Sequence, residues 1–318
     1  MNSINRLISA PKFFKAKYII DFINKSEAIF SLKNKQESKF VLDLNKIQQC
    51  TMIGVLLIYK FIEFSVKNNC FNAPAFAMND IVREAMEKYG FTPLIFSYIK
   101  DKKKAEKEFK KLKVSITDEF IIAPQALLRN DKYSAETLNS KYLPKIQKYY
   151  SFDDKIVSMI FLCFSEVLLN FWEHAVDDTQ SIIVANGNKS NLEIACADNG
   201  EGIISTLENS EIYTNRKNPE SVISKAVKKG ITSKSHTNHM GYGLWLIDEI
   251  AKRTGGRLHI YSEGGYYIRE FGKVKNGKCG YWQGTIIYIS LPLDKPITLA
   301  DIEKPELDNK FNLKINWA

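Results

Sequence analysis

The chain has 318 residues, 45% hydrophobic and 12% aromatic, and carries a formal net charge of +9. That length and apolar content allow a sizeable core and two domains, and they exclude a disordered or collagen-like chain. Five widely spread cysteines without a Cys-x-x-Cys pair argue against a disulfide frame or a structural zinc. No apolar stretch reaches the roughly 18 residues of a membrane span, and the N-terminus has no secretory pattern. The expectation is an unprocessed cytoplasmic protein with no membrane partner. Seven lysines against three acids crowd into Asp101–Lys113, whereas arginine occurs only seven times in the whole chain. A nucleic-acid partner therefore has only a motif-free lysine patch in its favour.

In chain order, Ala28–Leu32 and Phe40–Leu44 read as strands, with an apolar helix over Met52–Val66 between them and the next run, Phe71–Met78. A helix over Asp80–Tyr89 closes on Gly90, and Asp101–Lys113 reads as an exposed helix. Strand and helix in alternation suggest a small α/β regulatory unit over residues 1–114. Ser115–Pro124 offers one more strand, and 115–150 as a whole reads as a connector, helical over Gln125–Tyr150. Ser151 with Asp154 predicts the start of a helix that runs to about Val176. Ser181–Ala185 and Asn191–Ala197 predict two strands joined by a turn at Asn186-Gly187-Asn188. A polar stretch, Leu207–Met240, precedes Gly241-Tyr242-Gly243, which opens a helix over Leu244–Thr254 that Gly255-Gly256 terminates. Arg257–Ser262 and Gly284–Leu291 read as strands joined by a Tyr- and Gly-rich excursion.

The most informative segment is Glu166–Ala175, E-V-L-L-N-F-W-E-H-A. Glu166, Asn170 and His174 are each one helical turn apart, so they share a face of an otherwise oily helix. Burying such groups without partners costs about 1–3 kcal/mol each, so something polar should lie against that face. Asp198-Asn199-Gly200-Glu201-Gly202 at a strand end offers an acceptor and room for a flat ligand. Gly241-Tyr242-Gly243 at a helix start offers unpaired N–H groups and a positive dipole end suited to phosphate. Gly284-Thr285 enters a late strand with a hydroxyl. Each segment alone also reads as ordinary helix packing, a tight turn or a helix start.

In order, E-x-x-x-N, D-x-G-x-G, G-x-G-L and G-T form a series. Over roughly Ser151–Pro292 it resembles the ATP-binding module shared by type II topoisomerases, a class of heat-shock chaperones, MutL-type repair proteins and histidine kinases. These are the GHKL, or Bergerat-fold, ATPases. The resemblance implies an α/β fold class: a two-layer α/β sandwich over 151–318, C-terminal to the small α/β unit. It implies ATP and Mg²⁺ as cofactors, with Asn170 holding the metal, Glu166 activating the attacking water and His174 near the phosphates. It further implies that Asp198 accepts the adenine amino group, Gly200 and Gly202 leave room for the ring, and Thr285 reaches adenine. Gly241, Tyr242, Gly243 and Leu244 would wrap the phosphates, and Leu207–Met240 would be a lid whose Lys234 supplies a cation.

In the N-terminal part, Phe40-Val-Leu-Asp-Leu-Asn-Lys-Ile, Gly54-Val-Leu-Leu and Gly90-Phe resemble STAS domains over about Ala28–Ile95. A generic α/β unit fits the same residues, and Thr51-Met52 stands where that family commonly has its Asp-Ser phosphorylation site. No histidine precedes His174, which argues against histidine autophosphorylation, and only about twenty-five residues follow Pro292, too few for a transducer domain. The function expected is Mg²⁺-dependent ATP binding and hydrolysis that switches the attached domain, a protein partner or a homodimer. Alternatives are a protein-serine/threonine kinase of the anti-sigma type and an ATP-dependent binding module without turnover.

Overall fold

Ile182–Ala185, Ile194–Ala197 and Ile286–Ile289 are unbroken apolar runs, and a strand with no polar face needs cover on both sides. The computed structural model describes residues 4–30, 38–68, 70, 76–111, 119–127, 136, 138–151, 153–174, 181–209, 218–231 and 242–304, and it supplies that double cover. The N-terminal part comprises β1 (Ile4–Ser9), β2 (Phe13–Phe14), α1 (Ile19–Phe30), β3 (Ser38–Leu44), β4 (Gln49–Cys50), α2 (Met52–Lys67) and β5 (Phe76–Met78). It continues through α3 (Asp80–Lys88), α4 (Thr92–Phe96) and α5 (Lys102–Phe109). Strands β1, β3 and β5 form a parallel sheet in the order β1-β3-β5, and β2 pairs with β4.

The rest of the chain comprises β6 (Phe120–Leu127), α6 (Leu143–Tyr150), α7 (Asp154–His174), β7 (Ser181–Gly187), β8 (Asn191–Ala197), α8 (Ile203–Asn209) and α9 (Pro219–Ala226). There follow α10 (Gly243–Thr254), β9 (Arg257–Ser262), β10 (Gly265–Glu270), β11 (Lys273–Lys278), β12 (Thr285–Pro292) and α11 (Leu299–Glu303). The strands form a seven-stranded antiparallel sheet in the order β11-β10-β9-β12-β8-β7-β6. The protein is thus of mixed α/β class.

Alternation along each strand separates two cores. Ile183, Ala185, Ile194, Cys196, Ile260 and Ile287 pack with Phe164, Val167 and Leu168 of α7 and Ile247 and Ile250 of α10. Their neighbours Ile182, Val184, Ala195, Ala197, Ile286 and Tyr288 share a core with α1, α2 and β3. Helix α2 contacts β7 and β8 directly. Fourteen of its sixteen residues are buried, Lys60 and Glu63 among them. The second face of the sheet is therefore the seat of the N-terminal part, and the layering goes beyond the two-layer sandwich expected.

Several expectations are corrected. Ala28–Phe30 end α1 and form no strand, because Ile19, Phe22, Ile23, Ser26, Ile29 and Phe30 recur at helical spacing. The connector over 115–150 is no mere link: β6 is the edge strand on β7, and Ile146 and Tyr150 of α6 enter the core of α7. Asp153, and not Ser151, caps α7, its carboxylate accepting from the N–H groups of Lys155 and Ile156. The β7–β8 turn is closed by the Asn188 side chain, which accepts from the N–H groups of Ser190 and Asn191. The Tyr- and Gly-rich excursion is the paired strands β10 and β11. Its turns, Glu263-Gly264 and Phe271-Gly272, have positive φ at both residues, the hairpin chemistry that an X-Gly pair announces. Over Asp154–Trp172, α7 is long and apolar enough to cross a membrane, against the expectation that no stretch comes near that length. Here its apolar stripe lies in the core.

Candidate functional site

The four-residue spacing on α7 does what helical geometry requires. Val167, Leu168 and Phe171 turn to the sheet, while Glu166 and Asn170 occupy an adjoining, half-buried stripe. Helix α10 packs against that stripe. Its first residue, Gly243, comes so close that a Cβ there would lie 2.7 Å from Glu166 Oε2 and 3.3 Å from Asn170 Nδ2. Glycine lets the helix start approach these two polar groups without pushing the ends of their side chains aside. Asn170 Nδ2 is buried and has no hydrogen-bond partner among the described residues. An orphaned amide donor at the start of a twelve-residue helix is a place for an acceptor-rich ligand.

The start of α10 lacks a side-chain cap among the described residues. Tyr242 stands at its N-cap, 37% exposed, and makes no side-chain capping bond, so the first N–H groups have no such partner. Leu244 packs against the core behind it. Lys229 brings a cation alongside, its Nζ 5.0 Å from the Tyr242 ring centroid and 4.7 Å from that of Trp245. The helix is fixed to the sheet by Arg269, whose Nε and Nη2 donate to the two Asp248 carboxylate oxygens at 2.6 Å, with Tyr267 Oη donating at 2.8 Å. A paired, hydrogen-bonded charge of this kind orients the helix start rigidly.

A second cluster forms where β8 ends beside the start of β12. The pairing of Ile286 with Ala197 sets Thr285 opposite Asp198, on the face that α7 and α10 cover. Asp198, 1% exposed, receives the N–H of Gly200 on Oδ1 at 2.8 Å and that of Thr285 on Oδ2 at 3.1 Å. Gly284, at φ 88°, lets the chain wrap this carboxylate, since a Cβ there would lie 2.3 Å from Asp198 Oδ1. Ser262 Oγ donates to Gly284 O at 2.9 Å, receives Ile203 N at 3.0 Å and lies 3.3 Å from Thr285 Oγ1. Glu263 receives Ser205 N at 2.9 Å and abuts Gly202, tying the start of α8 to the β9–β10 turn.

The fold thus gathers Glu166, Asn170, Gly243 and Leu244 at one point, and Asp198, Gly200, Gly202 and Thr285 at another. Lys234 and Gly241 lie outside the described residues, as does the side chain of His174. Within the expected lid, Val222 and Ile223 of α9 are fully buried, and the helix packs on β10 and β11. Sequence reasoning missed Lys229, Ser262, Glu263 and Trp282, whose roles arise from pairings remote in sequence. Only Glu263-Gly264 carries a local signal, that of a hairpin turn. No protein-family model matches the chain, and no curated protein matches it.

Proposed function

We propose that the chain is a Mg²⁺-dependent ATP-binding module of GHKL type that hydrolyses ATP and acts in the cytoplasm. The observation that carries this reading is the buried Asn170 amide nitrogen, without a hydrogen-bond partner among the described residues, beside Glu166 at the start of α10. Mg²⁺ typically takes one or two protein oxygens and completes its shell with phosphate and water. The Asn170 amide oxygen meets that demand, and the bound metal would neutralise charge on the phosphates. The N–H groups at the start of α10 would donate to phosphate oxygens, and Lys229 adds positive charge at the same end. Glu166 orients a water and takes its proton as the water oxygen attacks the γ-phosphorus. The bond from that phosphorus to the β–γ bridging oxygen breaks, releasing ADP and phosphate. Asp198 accepts from the adenine amino group, and Gly200 and Gly202 leave the ring space.

The N-terminal part, STAS-like in its sequence, is then the element that ATP switches, alone or with a protein partner or a second copy. Incubation with γ-labelled ATP and Mg²⁺ tests the reading. Wild-type protein is expected to retain nucleotide and release labelled phosphate, and Asn170→Ala to lose both by at least tenfold. Nucleotide retention unchanged in Asn170→Ala would overturn the site. Label transferred to a protein would replace hydrolysis by serine/threonine phosphorylation, and retention without release would leave a binding module.

A further inference from the structure

We infer that the N-terminal part is a working component of the nucleotide site, with Trp282 as the positioning residue that joins α1 to the Asp198 turn. The inference rests on the ATP-binding reading above. Between β11 and β12 the segment Gly280–Gln283 touches both partners. On its outer side, Gly280 N donates to Asn24 Oδ1 of α1 at 2.6 Å. A Cβ on Gly280 would lie 2.8 Å from Ile23 O and from Asn24 Cα, so backbone meets backbone there. Phe30, the last residue of α1, packs on Trp282 with ring centroids 5.0 Å apart and on Tyr281 at 6.5 Å.

On its inner side the same segment holds the adenine-side cluster. Trp282 is fully buried, and its Nε1 donates to Asp198 O at 3.1 Å. Gln283 Nε2 donates to Asn199 O at 2.8 Å, and Trp282 O receives Glu263 N at 3.1 Å. Gly284 and Thr285, the next two residues, wrap and bond the Asp198 carboxylate. The indole thus fixes the main chain of the residue whose carboxylate reads the base, and α1 fixes the indole. An element that sets the geometry of a binding group changes affinity without touching the ligand, and by linkage whatever shifts α1 shifts nucleotide binding too.

The test is calorimetric titration of the 318-residue chain with Mg-ATP and with Mg-inosine triphosphate, which lacks the 6-amino donor. The variants are Trp282→Phe, which keeps the ring packing and removes the N–H donor, and Asn24→Ala, on α1. Wild-type protein is expected to prefer ATP. Trp282→Phe is expected to lose roughly tenfold in ATP affinity and little for inosine triphosphate, the scale of one buried hydrogen bond. Asn24→Ala is expected to narrow the same preference by a smaller factor, with KM for ATP raised and kcat for phosphate release unchanged. If both variants retain the wild-type melting temperature and the wild-type ATP preference, the inference fails while the ATP reading stands. Should Trp282→Phe not fold, Asn24→Ala decides alone. Wild-type protein that binds neither nucleotide overturns the ATP reading itself.

Discussion

Glu193 illustrates how much a single residue's chemistry depends on its place. It sits within β8, and strand alternation turns it to the face that the N-terminal part covers, where Tyr288 Oη donates to its Oε1 at 2.6 Å. Burial raises its pKa above the ordinary carboxylate value, with the Tyr288 hydrogen bond and Arg257 opposing. A folded-state value above the unfolded one means that the native chain holds this proton more tightly. Stability is then undiminished below the unfolded pKa and falls as pH rises through the folded one. Glu193→Gln retains an acceptor for Tyr288 and carries no charge. It is expected to raise the urea midpoint at pH 7 and to leave it unchanged well below about pH 4, under the ordinary glutamate pKa. A midpoint lowered at pH 7 would show that the charge itself is stabilising. At this scale the sequence spoke clearly only for Glu166 and Asn170, because one helical turn separates them and helical spacing is local. Two of the N–H groups that reach the Asp198 carboxylate, those of Gly200 and Thr285, lie two and eighty-seven residues away, and only the first is visible in the sequence.

At the scale of elements, α2 shows what its position between layers demands. Lys60 and Glu63 are fully buried in it and paired with one another, with Lys67 Nζ 3.2 Å from the other Glu63 oxygen. Removing one member of a buried pair strands the other charge, at a cost of about 3–5 kcal/mol, whereas replacing both by apolar groups is close to neutral. Lys60→Met leaves Glu63 with Lys67, so it is expected to lower stability in urea denaturation by less than that amount, and Lys60→Met/Glu63→Leu to recover most of the loss. A double variant as unstable as the single one would mean that the pair does more than cancel charge. Helix α2 was legible as a long apolar run. That it would be enclosed on every side was not, because apolar content reports burial and not what provides it. The β10–β11 pair was missed for the opposite reason: β11 is an exposed, lysine-bearing edge, so it lacks the alternation that marks a half-buried strand.

At the scale of the whole molecule, the two cores share the seven-stranded sheet, one on each face. An element cut from one side would expose Ile182, Val184, Ala195 and Ile286 to water, and each such side chain is worth about 1–3 kcal/mol when buried. The N-terminal and C-terminal parts are accordingly expected to unfold together. Urea titration followed by far-UV circular dichroism and by tryptophan fluorescence should give coincident transitions. Two separated transitions would show that the sheet keeps its fold when α1 and α2 leave it.

The sequence by itself determined the local features: the polar stripe on α7, the aspartate–glycine turn after β8, the glycine opening of α10, and apolar runs that fix the buried strands. These follow from helical and strand periodicity and from glycine chemistry, all of which act within a few residues. Only the tertiary structure decided that Gly243 abuts Glu166 and Asn170, that Thr285 closes on Asp198, and that α1 reaches the same turn through Trp282. Those contacts depend on strand register and on the packing of layers, and such pairings join residues that no local pattern connects.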